Sequence, residues 1–360
     1  MLILSVRTGT IVRVMLAALA IPAAAAAQSR AYVSNCRSNS VSVVDTATNA
    51  VVATIPVGAC PFGIAVAPDG ATAYVMNNDS NDVSVLDLVA DAVVATIPVP
   101  GSPAAGAILP DGSRLYVPSI FAGVTVIDTV SNTVVGQVAT EVYPSVVAFT
   151  PDGAFAFVTN QGSGTVSVIA TATTTVVDTI ATATNPFGVA ITPDGAFAYV
   201  VNSAPGSGSV SVIDTDSHVT VASIAVGSRP QQVAIAPSGA FAYVTNYDNN
   251  TVTVIATATN TIAATIAVGL TPSGVAVAAN GGYAYVTNEA SNDVSVVATA
   301  TNTVVGSIVV GVRPSFIAMG RSAAPTDKNQ CKNGGYRSFT NPGFKNQGEC
   351  VSFVQRGPRP

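Results

Sequence analysis

The sequence predicts an all-β fold, a seven-bladed β-propeller of four-stranded antiparallel blades. Three observations predict it. A tetrapeptide beginning Tyr32-Val33-Ser34-Asn35 returns at Tyr74, Tyr116, Phe157, Tyr199, Tyr243 and Tyr285, every 41 to 44 residues. Between copies lie short apolar runs of β-branched residues bounded by turn residues, with no helical periodicity. One repeat is divided between the two ends of the array. Four short strands cannot bury both faces of one sheet, so neighbouring copies must stack, and a closed ring leaves only short, protected edges.

Each element of the repeat has a local reason. After the tetrapeptide comes an alternating segment such as Thr165-Val166-Ser167-Val168-Ile169, a strand with one face per residue type. A Thr-Asn or equivalent turn leads to a second apolar run, as at Val51-Val52-Ala53-Thr54-Ile55. A proline follows in every copy, at Pro61, Pro103, Pro144, Pro186, Pro230, Pro272 and Pro314, and starts a third run such as Gly188-Val189-Ala190-Ile191. Pro-Asp-Gly closes that run at Pro68, Pro110, Pro151 and Pro193, where Pro sets φ, Asp bonds back to the backbone and Gly takes φ > 0. Softer forms stand at Pro237-Ser238-Gly239 and Ala279-Asn280-Gly281. The array opens on the Tyr-Val strand and ends on Pro314-Ser315-Phe316-Ile317-Ala318-Met319, which supplies the strand the first blade lacks. The N-terminal three strands should therefore pair with the C-terminal one.

The flanks divide the chain into 1–27, 28–320 and 321–360. Arg7 and Arg13, the apolar run Val14–Ala24 and Ala25-Ala26-Ala27 before Gln28 read as a secretory signal. A retained anchor is the alternative, although the run is shorter than the roughly 20 residues of a membrane span. Secreted or periplasmic placement is expected, with no transmembrane segment after signal removal. Four cysteines in an exported chain then suggest two disulfides, Cys36 with Cys60 and Cys331 with Cys350. The first pair joins two turns on one face near a blade boundary. The second closes a loop in the tail.

Composition narrows the function classes. Only 9% of residues are charged, against roughly a quarter in a typical chain, and 49% are hydrophobic. Residues 28–320 hold five Arg, no Lys and seventeen acids, a net −12, whereas 321–360 hold seven basic groups and two acids, a net +5. So acidic a body is a poor nucleic-acid partner, because that binding rests on cations at phosphate. The basic tail suits an anionic envelope polymer, or simple solvation.

The Tyr-Val-Thr-Asn copies at 243–246 and 285–288, with Ser-Val-Ile-Asp at 211–214 and the Pro-Asp-Gly turns, resemble the YVTN family of bacterial and archaeal β-propellers. The resemblance covers about 290 residues, since four sub-motifs recur in fixed order. It implies an extracytoplasmic seven-bladed propeller without fixing an activity, as related propellers include surface-layer proteins, lactonases and domains of redox enzymes. The third copy departs from the pattern at Pro118-Ser119, where the Asn is lost. The tail from Cys331 to Cys350 is similar to short Cys-containing segments appended to assorted secreted bacterial proteins.

Catalytic chemistry finds little support. The single His218 leaves no His metal cluster and falls in an outer turn, where a solvated histidine is expected. No Cys-x-x-Cys-His or phosphate loop is present, and neither cofactor nor metal is expected. The repeated Asn (Asn35, Asn77, Asn160, Asn202, Asn246, Asn288) reads as a cap of the turn after its strand, and Asp45, Asp87, Asp128 and Asp214 as turn-fixing residues. Positions flanking each proline differ between blades and should ring the mouth of the central channel. Among them Arg229 and Arg313, with Arg37, Tyr143, Asn185 and Gln231, are the candidate ligand site: guanidinium binds carboxylate in a bidentate fork. Ordinary ion pairs with Glu141, Asp248 or Glu289 are the competing account of the arginines. The expected function is a non-catalytic, monomeric binding or scaffold module for a protein, glycan or cell-envelope polymer. The alternative is a lactonase-like hydrolase with its substrate at the mouth.

Overall fold

The computed structural model describes residues 30–320. The expected signal, the tail and the Cys331–Cys350 pair lie outside the described residues. The fold is a seven-bladed propeller: seven four-stranded antiparallel sheets, each running inner, Tyr-Val, third and outer strand. Blade 6 is representative, with strands Pro230–Ile235, Phe241–Asn246, Thr251–Ala256 and Thr261–Ala267. Its Tyr-Val strand is buried along all but its first residue, while the outer strand is mostly exposed. The two middle strands are thus the most buried and the outer strand the least. Each third–outer pair carries a register shift at the same place, as between Val254 and Ile255, which adds the twist a blade needs.

Blade 1 closes the ring as the split repeat requires. Pro314–Met319 pairs antiparallel with Arg30–Asn35, matching Ala31 with Met319, Tyr32 with Ala318 and Val33 with Ile317. We number the other blades 2 to 7 along the chain.

The core lies between blades rather than within them. Tyr243, Val252, Val254 and Ile266 of blade 6 form one buried cluster with Val275, Ala284, Val286 and Val297 of blade 7. Across the closure, Tyr285, Val294, Val296 and Ile308 of blade 7 pack on Ala31, Val33, Val44 and Ile317 of blade 1. Buried tyrosine hydroxyls need partners, and three of them find one a blade further on. Tyr74 donates to Asn132 Oδ1 (2.9 Å), Tyr199 to Asn260 (2.6 Å) and Tyr285 to Asn49 (3.2 Å). Each accepting Asn holds the left-handed position of a turn before an outer strand.

The repeated Asn corrects the sequence reading. It ends its strand with the side chain turned into the blade, so it bonds across to the third strand instead of capping the following turn. Asn246 Nδ2 donates to Thr251 Oγ1 (3.0 Å) and Thr253 Oγ1 (2.8 Å), and Asn77, Asn160, Asn202 and Asn288 repeat the pattern. These residues are buried. Blade 3 shows the consequence of losing one: Ser119 Oγ and Thr125 Oγ1 are buried without partners. Its inner strand shrinks to Ala107–Ile108, and Ala105 bridges in parallel to Val146 of blade 4.

Candidate functional site

The residue before each blade-starting proline sits in the left-handed region: Cys60, Ser102, Tyr143, Asn185, Arg229, Thr271 and Arg313 all have φ between 45° and 58°. Neither a side chain nor a following proline favours that conformation. A repeated hydrogen bond holds it. The amide after the motif Asn donates to the carbonyl of the pre-proline residue, as from Cys36 to Arg313 (3.0 Å), Asn78 to Cys60 (2.9 Å), Gln161 to Tyr143 (2.9 Å) and Glu289 to Thr271 (3.0 Å). Side chains of the preceding blade add a second bond in places, such as Asn292 Oδ1 accepting from Arg313 N at 2.8 Å.

That bond brings a second ring of residues to the mouth: Cys36, Asn78, Ile120, Gln161, Ser203, Tyr247 and Glu289. Sequence reading passed over most of them. The signal was present, because directly after a near-constant Asn the seven copies carry seven different residues.

A cavity of about 320 Å³ occupies the mouth. Arg37, Arg313, Glu289, Asn78, Asp79 and Gln161 line it, with Phe62 and Phe187 beneath. Three rings meet across the channel: Phe62 of blade 2 lies 4.8 Å from Phe316 of blade 1 and meets Phe187 of blade 5 edge-on at 6.2 Å. The Cys36–Cys60 disulfide, S–S 2.05 Å, lies in the cavity wall and ties blade 1 to blade 2.

Only part of the expected set converges there. Arg37 and Arg313 line the cavity; Arg229, Tyr143, Asn185 and Gln231 stand outside its lining. Arg229 pairs with Asp248 (3.6 Å) and covers the Tyr247 ring at 5.7 Å, and Gln231 donates to Ser203 Oγ (3.2 Å). Asn185 accepts the Ser203 amide through its carbonyl, and Tyr143 leans on the edge of Phe121. Neighbours on their own sector of the rim hold these four.

The electrostatics of the rim are uneven. Arg313 Nε donates to Glu289 Oε2 at 3.1 Å, and the Tyr247 hydroxyl donates to the same oxygen at 3.3 Å. Glu289 is 11% exposed, and burial, followed by the Glu289 charge, pushes the Tyr247 phenol up. Four of the five described arginines have a carboxylate: Arg30 with Asp91, Arg114 with Asp128, Arg229 with Asp248 and Arg313 with Glu289. Arg37, exposed on the cavity wall, forms no ion pair among the described residues.

His218 departs from the expected solvated state. It lies in the turn before the outer strand of blade 5, on the far side from the mouth, yet its side chain is only 17% exposed. Nδ1 bonds Asp178 of blade 4 at 2.9 Å, and the ring packs edge-on against Phe155 and Phe157. Among the described residues, no group of three or more His, Cys, Asp or Glu is placed to hold a metal.

Fold and site together define a seven-bladed β-propeller repeat protein with a mixed-polarity mouth. The family model "Lactonase, 7-bladed beta-propeller" matches residues 169–276. No curated protein matches the chain. Among solved structures, a chain of Kuenenia stuttgartiensis hydrazine synthase is 27% identical at TM-score 0.71, covering 75% of this chain and 92% of its own. A functionally unknown protein from Desulfotomaculum acetoxidans is 17% identical at TM-score 0.69, covering 81% and 98%, and shares the fold.

Proposed function

We propose that the protein is an exported, non-catalytic binding propeller that presents its mouth face to a protein, glycan or cell-envelope partner. The content of the mouth carries this reading. Two phenyl rings under a rim that sets the amides of Asn78 and Gln161 among Arg37, Arg313, Asp79 and Glu289, with Glu289 held by Arg313 and the Tyr247 hydroxyl, suit recognition of a polar partner. A hydrolase would need a positioned general base or nucleophile, whereas of the two lining acids Glu289 is held by Arg313 and Asp79 is exposed on the rim. The Cys36–Cys60 disulfide and the N-terminal Arg, apolar and Ala-Ala-Ala pattern support an oxidising compartment. No helix of the described residues is long and apolar enough to cross a membrane. The basic stretch 321–360 supplies charge suited to an anionic envelope.

A lactonase-like hydrolase is the second reading, favoured by the family match over 169–276. The two separate on one experiment with the mature protein. A panel of sugar and acyl lactones should show no turnover above the uncatalysed rate, while immobilised protein should retain envelope material and lose it on Phe121→Ser. Lactone hydrolysis abolished by Glu289→Gln would establish the hydrolase and end the binding reading.

A further inference from the structure

We infer that the mouth recognises an acidic saccharide, a hexuronate unit of a polysaccharide, with Arg37 as its carboxylate receptor; this rests on the binding reading above. Arg37 is the described arginine left without an acid, and it faces a cavity whose other arginine is committed to Glu289. Its backbone is fixed on both sides. Cys36 is in the disulfide and donates its amide to Arg313 O, and Arg37 N donates to Val312 O at 3.2 Å. A guanidinium on an anchored backbone, with its fork unoccupied, meets a carboxylate at little ordering cost.

The rest of the cavity specifies what carries that carboxylate. Its 320 Å³ lies at the small end of ligand sites, which run from roughly 300 to 1,000 Å³. Phe62 and Phe187, with Phe316 packed against Phe62, give an apolar lining that matches the C–H face of a pyranose ring. Asn78, Gln161 and Asp79 on the rim offer donors and acceptors for hydroxyls, and no ion pair joins Asp79 to Arg37. A free carboxylate on an apolar chain would leave these groups unused.

A polymer is favoured over a free sugar by the surface beside the cavity. Phe121 and Tyr143, 73% and 45% exposed, meet edge-to-face at 5.9 Å next to the lining residues Ile120 and Gln161. Gly162 permits this, since a Cβ there would stand 2.7 Å from the Tyr143 ring. Exposed apolar surface gathered beside a polar-rimmed cavity suits an interaction site, and this pair adjoins the lining through Ile120 and Gln161.

The test is calorimetric titration of the mature protein with trimers of galacturonate, glucuronate and mannuronate, each beside its methyl ester. At least one acid should bind at least about tenfold more tightly than its ester. Arg37→Ala should remove that difference, and Phe121→Ser should weaken acid and ester alike. Arg114→Ala, which deletes the same charge away from the mouth, should leave binding unchanged. Binding of none of the acids, equal binding of acid and ester, or an unaltered preference in Arg37→Ala would each overturn the inference. If envelope material is still retained through Phe121 in those cases, the binding reading survives and the acidic saccharide does not. Retention of a protein alone would have the same meaning.

Discussion

At the residue scale, blade contacts are polar pins set into apolar packing, and their variations are coupled. Where Tyr74, Tyr199 and Tyr285 reach an Asn on the next blade, blade 4 has Phe157 and so no hydroxyl to donate. The matching left-handed position on blade 5 is His218, whose ring fills the space against Phe157 and takes Asp178 as its partner. Two departures from the repeat therefore explain each other. The motif Asn is a second pin. Asn246 makes three bonds: Nδ2 to Thr251 and Thr253, and Oδ1 from Gly227 N at 3.0 Å. Asn246→Ser should strand the Thr253 hydroxyl much as Thr125 is stranded in blade 3, and lower unfolding stability by about 1–3 kcal/mol. A guanidinium midpoint equal to that of the unaltered protein would show that the bonds contribute nothing net.

At the element scale, aspartates hold the turns. Asp45, Asp87, Asp128 and Asp214 accept the amides two and three residues on, as expected of turn-fixing residues. Asp152 and Asp194 of the Pro-Asp-Gly turns accept Thr150 and Thr192 hydroxyls and the amides of Ala154 and Ala196. Backbone amides hold the Asp87, Asp128 and Asp214 carboxyls below the ordinary value of 3.8, and the threonine hydroxyls do so for Asp152 and Asp194. At Asp178 the His218 bond is the main cause. A carboxyl whose folded pKa is depressed contributes stability above its unfolded pKa and loses it as pH falls through the folded value. Melting temperature should stay level from pH 7 to about 5 and fall below about pH 4. A melting temperature unchanged between pH 5 and pH 3 would refute the turn-aspartate account. The turns are exposed, so each contribution is small and the effect lies in their number.

At the scale of the whole molecule, stability depends on closure. Every cluster spans at least two blades, so no blade has a core of its own, and blade 1 draws its inner strand from the far end of the chain. Removing that strand uncovers an edge of blade 1, takes Phe316 from beside Phe62 and strips Ile317 from the cluster shared with blade 7. A chain ending at Gly311 should therefore be unfolded, or melt cooperatively far below the mature protein. Equal melting temperatures by calorimetry would mean that the ring stands without its clasp.

Most of the fold was legible because a repeat states each local rule seven times. The 42-residue step from Tyr32 to Tyr74, the Pro-Asp-Gly turns and the divided first blade together determined blade number, strand order and the clasp. Two cysteines on one face near a blade boundary gave the Cys36–Cys60 bridge. The site was legible only in part. Sequence could name the residues flanking each proline, since they vary between copies, but not which of them share a cavity. That depended on three phenyl rings meeting across the channel and on which arginine found an acid. Arg229 and Arg313 look alike beside their prolines, yet Arg229 is held by Asp248 outside the lining and Arg313 by Glu289 within it. Arg37, at the repeat position where other blades carry Asp79, Phe121, Gly162, Asp248 and Ala290, is the described arginine left without an acid. Periodicity records what each blade needs in order to fold. The mouth is built from differences between blades far apart in sequence, and only closing the ring brings those differences within reach of one another.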